Sequence, residues 1–351
     1  MTHLNTNSST VNVNYSLRTI PGEVSDIFTI LCLNTVGEII GLFGIVANII
    51  NIRIFLKQGF RESINITFMA LAVTDLGALL TLQMTNILVN PWSLTASLDY
   101  SPLEVVALLS FYPHNYFLRV SGLITAFAAF ERCLGVVFPL KVKYIVNRKR
   151  ILMGIFCICI IASPNVFIPF YCSYLDWKVV PMFNISYFGI VYREDVRRDF
   201  DFSFAYFYTD FFLPNLTLFL LITNNLIMAV QLTAHASWRR EVAGKRESLS
   251  NQISRKEKKI VQMLTKLSLI FIVCLIPQSA ILTAATFVKG FGLGGPYFDV
   301  AWLCYCVSFL LESVHSSVNI FVFYRMSSRY RNIFQMLFSS HSSIYIKRVT
   351  V

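Results

Sequence analysis

Arg132 follows Glu131 at the end of a run, Leu123 to Phe130, that holds no charge, within the stretch FAAFERCLGVVFPLKVK at 127–143. An arginine keeps its proton throughout the ordinary pH range and presents five N–H donors in a rigid fork. At the end of an apolar helix it can hold a carboxylate in one state and release it in another. Glu257, in RKEKK, is a further carboxylate among basic residues. Glu312, His315, Ser316 and Asn319 recur at i, i+3, i+4 and i+7, which places them on one helical face. Asp75 in LAVTDL, Asn48 in GIVANII and Ser121 are isolated polar groups inside apolar runs. Such residues pair charges and exchange hydrogen bonds. The catalytic patterns are missing. The five histidines, His3, His114, His235, His315 and His341, are scattered, so no metal spacing arises. There is no glycine-rich phosphate loop and no nucleophile elbow, and no inverted repeat with broken helices of the transporter kind. The reading is not an enzyme, with no metal and no cofactor beyond an ion.

The elements that carry these residues follow from composition. Hydrophobic residues make up 55% of the 351 and charged residues 14%, whereas a soluble domain has about 25% charged. The missing charge points to lipid, where an ionised side chain has no water to meet it. The net charge of +11 could serve nucleic acid only as an exposed basic stripe. Here the basic residues lie between apolar runs, so no nucleic-acid partner is expected. Seven runs are long enough to cross the roughly 30 Å hydrocarbon layer as helices, at 27–56, 64–90, 103–137, 150–171, 202–232, 258–288 and 298–324. The fold expected is an all-α membrane protein, a seven-helix bundle at 27–324. A polar tail at 1–26 precedes it, and 325–351 follow as a short amphipathic helix and tail. Basic loops stay cytoplasmic. Twenty-one Lys and Arg fall on one side of the bundle and six on the other, which puts the N-terminus outside, at the plasma membrane. The first 25 residues have no apolar core with a cleavage site and do not read as a signal peptide. Asn7, Asn14 and Asn184 head glycosylation triplets on the outer side.

With one marker residue per helix, in order, the chain resembles the rhodopsin-like G-protein-coupled receptors from about residue 35 to 337. Asn48 stands for the helix-one asparagine, and Leu71-Ala72 with Asp75 for the helix-two Leu-Ala-x-x-Asp. Glu131-Arg132-Cys133 stands for the Asp/Glu-Arg-Tyr triplet and Pro139-Leu140 for the pair after it. Pro214, then Phe271, Cys274 and Pro277, then Asn319, Tyr330 and Phe334 complete the series. The stretch FERC followed by PLKVK is most similar to molluscan chemosensory receptors. Departures are also clear: Leu275 replaces the usual helix-six Trp, Ile320 the helix-seven Pro, and Phe323, with Tyr324 next to it, the Tyr. No Cys lies between Cys32 and Cys133, so the usual disulfide from the top of helix three cannot form. Cys172, which would have used it, pairs with Cys32, Cys304 or Cys306, or stays a thiol.

The resemblance implies a receptor for an outside ligand that activates a heterotrimeric G protein. Arg132 would be held at rest by Glu131, with Glu257 as a second acceptor, until helix six opens a cleft for a G-protein helix. Asp75, Asn48, Ser121, Ser316 and Asn319 would form a hydrated cluster holding Na⁺ at rest, a site that His315 weakens. His114 occupies the position of the amine-gripping Asp, and Ser313 that of the retinal lysine, so aminergic and opsin readings are disfavoured. Arg119 and Asp210 would face each other in the upper bundle. They either neutralise one another or leave Arg119 to hold an anionic ligand. Phe111, Tyr112, Phe207, Tyr208 and Phe309 would wall a small organic ligand, with His114, Leu275 and Glu312 nearby. Phe271, Cys274, Pro277, Phe323 and Tyr324 form the switch region. A neuropeptide receptor is the alternative, suited by the long loop 172–201. A seven-helix ligand-gated channel is third, and the basic-loop count opposes it.

Overall fold

The computed structural model describes residues 22–95, 99–137, 147–180, 185–194, 202–242, 248–291 and 296–349. Side chains are described for these except at 94–95, 136–137, 180, 185, 202–203, 231–242, 248–261 and 339–349. The three glycosylation candidates, Asn7, Asn14 and Asn184, lie outside the described residues, as does the side chain of Glu257.

Seven long helices form, as the apolar runs require, because a backbone in lipid must satisfy its own polar groups. They are α1 (Gly22–Gln58) and α2 (Ser63–Leu88), α3 (102–137), α4 (Arg148–Cys172), α5 (202–242), α6 (Ser248–Phe287) and α7 (Phe298–Met326). A helix α8 (Ser328–Val349) follows. Six of the seven are long and apolar enough to span a membrane by composition. The exception is α3, which carries Glu104, Arg119, Glu131 and Arg132. Its position explains how it tolerates them: α3 packs against α2, α4, α5 and α6, and Arg119 and Glu131 are buried against protein rather than lipid. Large apolar side chains are exposed on the outer helices, Ile39 and Phe43 on α1 and Met153 and Phe156 on α4 among them. That is the surface a lipid-facing helix needs. The chain is a multi-pass membrane bundle.

Three helices widen locally into π turns, at Ile30–Gly37 in α1, Ala107–Phe111 in α3 and Phe207–Phe212 in α5. Such turns re-aim the side chains beside them. Asp210 lies inside one, and His114 just past another. Between α4 and α5 the chain forms an antiparallel hairpin, β1 (Ser173–Val180) with β2 (Ile185–Tyr192), in the register Ser173 opposite Tyr192. The length criterion for spanning segments passes over it. Phe188 of β2 adds a short bridge to Tyr100, through its N–H to the Asp99 carbonyl (2.7 Å) and its carbonyl to the Ser101 N–H (2.9 Å).

The hairpin is fastened to α3 by Glu104. Lys178 Nζ reaches Glu104 Oε2 at 2.7 Å, and the Ile190 N–H donates to the same oxygen at 2.7 Å. Lys178 also donates to the Ile190 carbonyl at 3.0 Å. All eight cysteines are free, and Cys172 is a buried thiol. An ion pair with backbone hydrogen bonds therefore holds the hairpin, and none of the three possible Cys172 disulfides forms.

Candidate functional site

Polar groups occur at four depths, from the hairpin end of the bundle to the Arg132 end. At the first, a cavity of about 140 Å³ opens below the hairpin, walled by Phe111, Tyr112, Asn115, Tyr192, Tyr206 and Asp210 together with α4 residues. Asp210 is the one charged residue in that wall among the described residues, and Thr209 Oγ1 donates to its Oδ1 at 3.3 Å. The expectation for Phe207 and Tyr208 fails. Phe207 is exposed and packs on Phe211, and the Tyr208 hydroxyl donates to the Ile161 carbonyl on α4. The π turn sets their direction, and with it they leave the cavity.

One turn deeper lies a buried layer. His114 Nδ1 is 2.9 Å from the Ala78 carbonyl on α2, and Nε2 is 2.8 Å from Glu312 Oε2 on α7. A carbonyl can only accept, so Nδ1 carries a hydrogen. A carboxylate at 2.8 Å from Nε2 then requires a second proton between the two groups. Ser308 Oγ donates to the other Glu312 oxygen at 3.2 Å. His114 thus joins α2, α3 and α7 at one point, and Phe309 stands edge-on to both His114 and Phe111. Arg119 does not form the expected pair with Asp210. Its Nη1 donates to Gln278 Oε1 on α6 at 3.0 Å, while Nε and Nη2 have no partner. Asp210 and Glu312 act on it through space. The neutral amide was within reach of the guanidinium, and Asp210 turned into the cavity. Leu275 packs with Phe271 and Leu221 in the α3–α5–α6 core rather than in the upper cavity.

At the third depth Ser121 Oγ and Asn319 Nδ2 each donate to Asp75, at 2.6 Å. Asn48 and Ser316 are not at the carboxylate; the Asn48 amide instead donates to the Ser316 carbonyl at 2.8 Å. His315 turns away from the cluster and stands edge-on to Phe271, with ring centroids 4.2 Å apart. Gly122 makes room for that ring: a Cβ there would lie 2.7 Å from Phe271 Cζ. Cys274 is buried, and Pro277 sits within α6.

At the fourth depth Glu131 and Arg132, expected to pair, are not joined by a hydrogen bond, and the arginine acts on its neighbour only through space. Glu131 is 3% exposed and neither of its oxygens has a hydrogen-bond partner. Neighbours in a helix point about 100° apart, so i and i+1 do not face each other. Cys133 next to them bonds the Asn224 carbonyl on α5 at 3.2 Å, and Asn224 reaches back to the Ala126 carbonyl. Phe323 packs with Phe55, Phe68 and Tyr330, and Tyr324 lies outside against Phe334.

Sequence reasoning missed Glu104, Gln278 and Asn51. Asn51 accepts from the Tyr330 hydroxyl at 2.5 Å, tying α8 to α1. Its place three residues after Asn48, on the same helical face, was the available signal. Glu104 and Gln278 had none, since their partners lie 74 and 159 positions away.

Residues 35–341 match the family model described as serpentine type 7TM GPCR chemoreceptor Srw. No curated protein matches the chain.

Proposed function

This chain belongs to the Srw family of serpentine seven-transmembrane GPCR chemoreceptors, and we propose that it sits in the plasma membrane with its N-terminus outside. There it binds a small chemical in the cavity below the hairpin and activates a heterotrimeric G protein when α6 opens at the Arg132 end. The cavity carries this reading. It lies at the end opposite Arg132, has four aromatic walls and one carboxylate, and is bordered by Ser173 and Tyr192 at the base of a hairpin anchored to α3. Its size, about 140 Å³, is close to the roughly 150 Å³ that admits one benzene ring. That favours a small molecule over a peptide.

Rhodopsin-like ancestry is part of this proposal, supported by Asn48, Asp75, Arg132, Pro277 and Asn319 in their places. The narrower likeness to molluscan chemosensory receptors belongs to the proposal too. Signal transfer would run from the cavity through the His114–Glu312 joint to α7, and from there to the Asp75 cluster. The Asp75 and Ser121 oxygens are the hard ligands that a small cation takes, so Na⁺ is proposed there as an allosteric ion. The test is a panel of small aromatic and aliphatic chemicals applied to cells expressing the receptor, with G-protein activation as readout. An activating compound is expected whose potency falls at least tenfold in Tyr112→Ala and Asp210→Asn. A response that neither variant alters would place the ligand elsewhere.

A further inference from the structure

A second cavity, about 170 Å³, lies at the opposite end of the bundle, among α1, α2, α6, α7 and the start of α8. Four aromatic rings, Phe55, Phe68, Phe323 and Tyr330, stand in its wall, with Met263 of α6. Its polar edge is made by Gln58, Glu62, Asn65, Ser327, Ser328 and Arg329. We propose that this cavity is a binding site for a small aryl carboxylate.

Two observations identify the head group. Gln58 is 8% exposed and its Nε2 has no hydrogen-bond partner. A buried amide N–H left without an acceptor is costly, and an acceptor in the cavity would satisfy it. The cavity also meets the start of α8 at Ser328; Ser327 Oγ caps the Tyr330 N–H there at 3.2 Å, which leaves the Ser328 and Arg329 N–H groups for an anion that the helix dipole favours. Arg329 adds positive charge: Nη2 donates to the Gln58 carbonyl at 2.8 Å, and Nη1 stands 3.6 Å from Glu62 Oε1. Glu62 offsets part of that charge, so recognition rests on aimed N–H donors more than on net charge. The body of the ligand follows from the rings, whose faces and edges suit one aromatic ring. The volume is that of a single-ring molecule.

The site touches α6 through Met263, so under the signalling reading above an occupant would pack α6 against α7 and oppose its opening. Binding itself does not depend on that reading. The test uses the full-length receptor in nanodiscs and reads its thermal unfolding with 4-phenylbutyrate, its neutral amide and 4-phenylbutylammonium. The acid is expected to raise the unfolding temperature saturably, the amide less and the ammonium not at all. Gln58→Leu removes an unpartnered polar group and is expected to fold. It should weaken the acid's apparent affinity about tenfold, and Gln58→Met likewise, so either folded variant suffices. Equal shifts from the acid and the ammonium, no shift from the acid at 10 mM (about tenfold above a weak Kd of about 1 mM), or an acid shift unchanged in both variants would overturn the site.

Discussion

Replacing Glu312 probes the buried polar joint that links α2, α3 and α7. Both partners are almost fully enclosed, at 2% and 4% side-chain exposure, so neither can turn to water when the other is removed. In Glu312→Ala the imidazole keeps its bond to the Ala78 carbonyl and loses the acceptor at 2.8 Å. Breaking a buried pair of this kind costs about 3–5 kcal/mol. In Glu312→Gln the amide can donate to a neutral Nε2, so one hydrogen bond survives and the loss is about 1 kcal/mol. At roughly 2 °C per kcal/mol for a chain larger than 250 residues, the unfolding midpoint should fall by roughly 6–10 °C in the alanine variant and roughly 2 °C in the glutamine variant. The buried free thiols Cys133, Cys172, Cys274 and Cys306 supply the assay, since a thiol-reactive fluorophore reports their exposure as the purified receptor is heated. His114→Phe combined with Glu312→Leu removes both polar partners and should recover most of the loss. Two results would refute the shared-proton joint: glutamine as damaging as alanine, or a coupling in the double-mutant cycle below about 0.5 kcal/mol.

Four further outcomes are expected. Lys178→Met should loosen the hairpin clasp by about 1 kcal/mol, a partly exposed pair being screened by solvent, and hydrogen exchange over 173–192 should quicken. Burial works against the Lys178 ammonium, but its bonds to Glu104 and Tyr187 outweigh this and raise its pKa. The Lys178 contribution is therefore fully present below the ordinary lysine value and lost only as pH rises through the raised one, so exchange over 173–192 should not vary between pH 6 and 9 on its account. Gly122→Ala puts a methyl 2.7 Å from the Phe271 ring and 3.0 Å from Thr217 Cγ2. It should cost about 1–3 kcal/mol by overpacking and change basal signalling, whereas Gly154→Ala, against Phe127 at the α3–α4 seam, should change stability alone. An antibody to a tag at residue 2 should label intact cells, and one to a tag at 351 only permeabilised cells; labelling of the 351 tag on intact cells would sink the orientation. Asp75→Asn should abolish any dependence of ligand affinity on Na⁺ at constant ionic strength, and an unchanged dependence would remove the ion from that cluster.

Much of the architecture was legible without coordinates, because lipid solvates each segment separately. A run of twenty apolar residues crosses the bilayer whatever its neighbours do, and the seven runs became α1 to α7 with ends shifted by a few residues, apart from α5 and α6, which extend about ten further at the Arg132 end. The polar stripe of α7 was legible for a similar reason, since 3.6 residues per turn aligns Glu312, His315, Ser316 and Asn319 along one side. Which groups along that stripe would meet was not. Asn319 reached Asp75, the one meeting on the stripe that the sequence implies, but Glu312 reached His114 on another helix, and His315 turned to Phe271. Arg119 took an amide on α6 instead of the carboxylate on α5, and Glu131 was buried without a hydrogen bond to the arginine beside it. Glu104 met a lysine on a hairpin that the search for spanning lengths passed over. Each of these pairings depends on the rotation, depth and π-turn distortion of two helices at once. A shift of one residue along a helix turns a side chain by about 100° and 1.5 Å, and only the packed bundle sets those values.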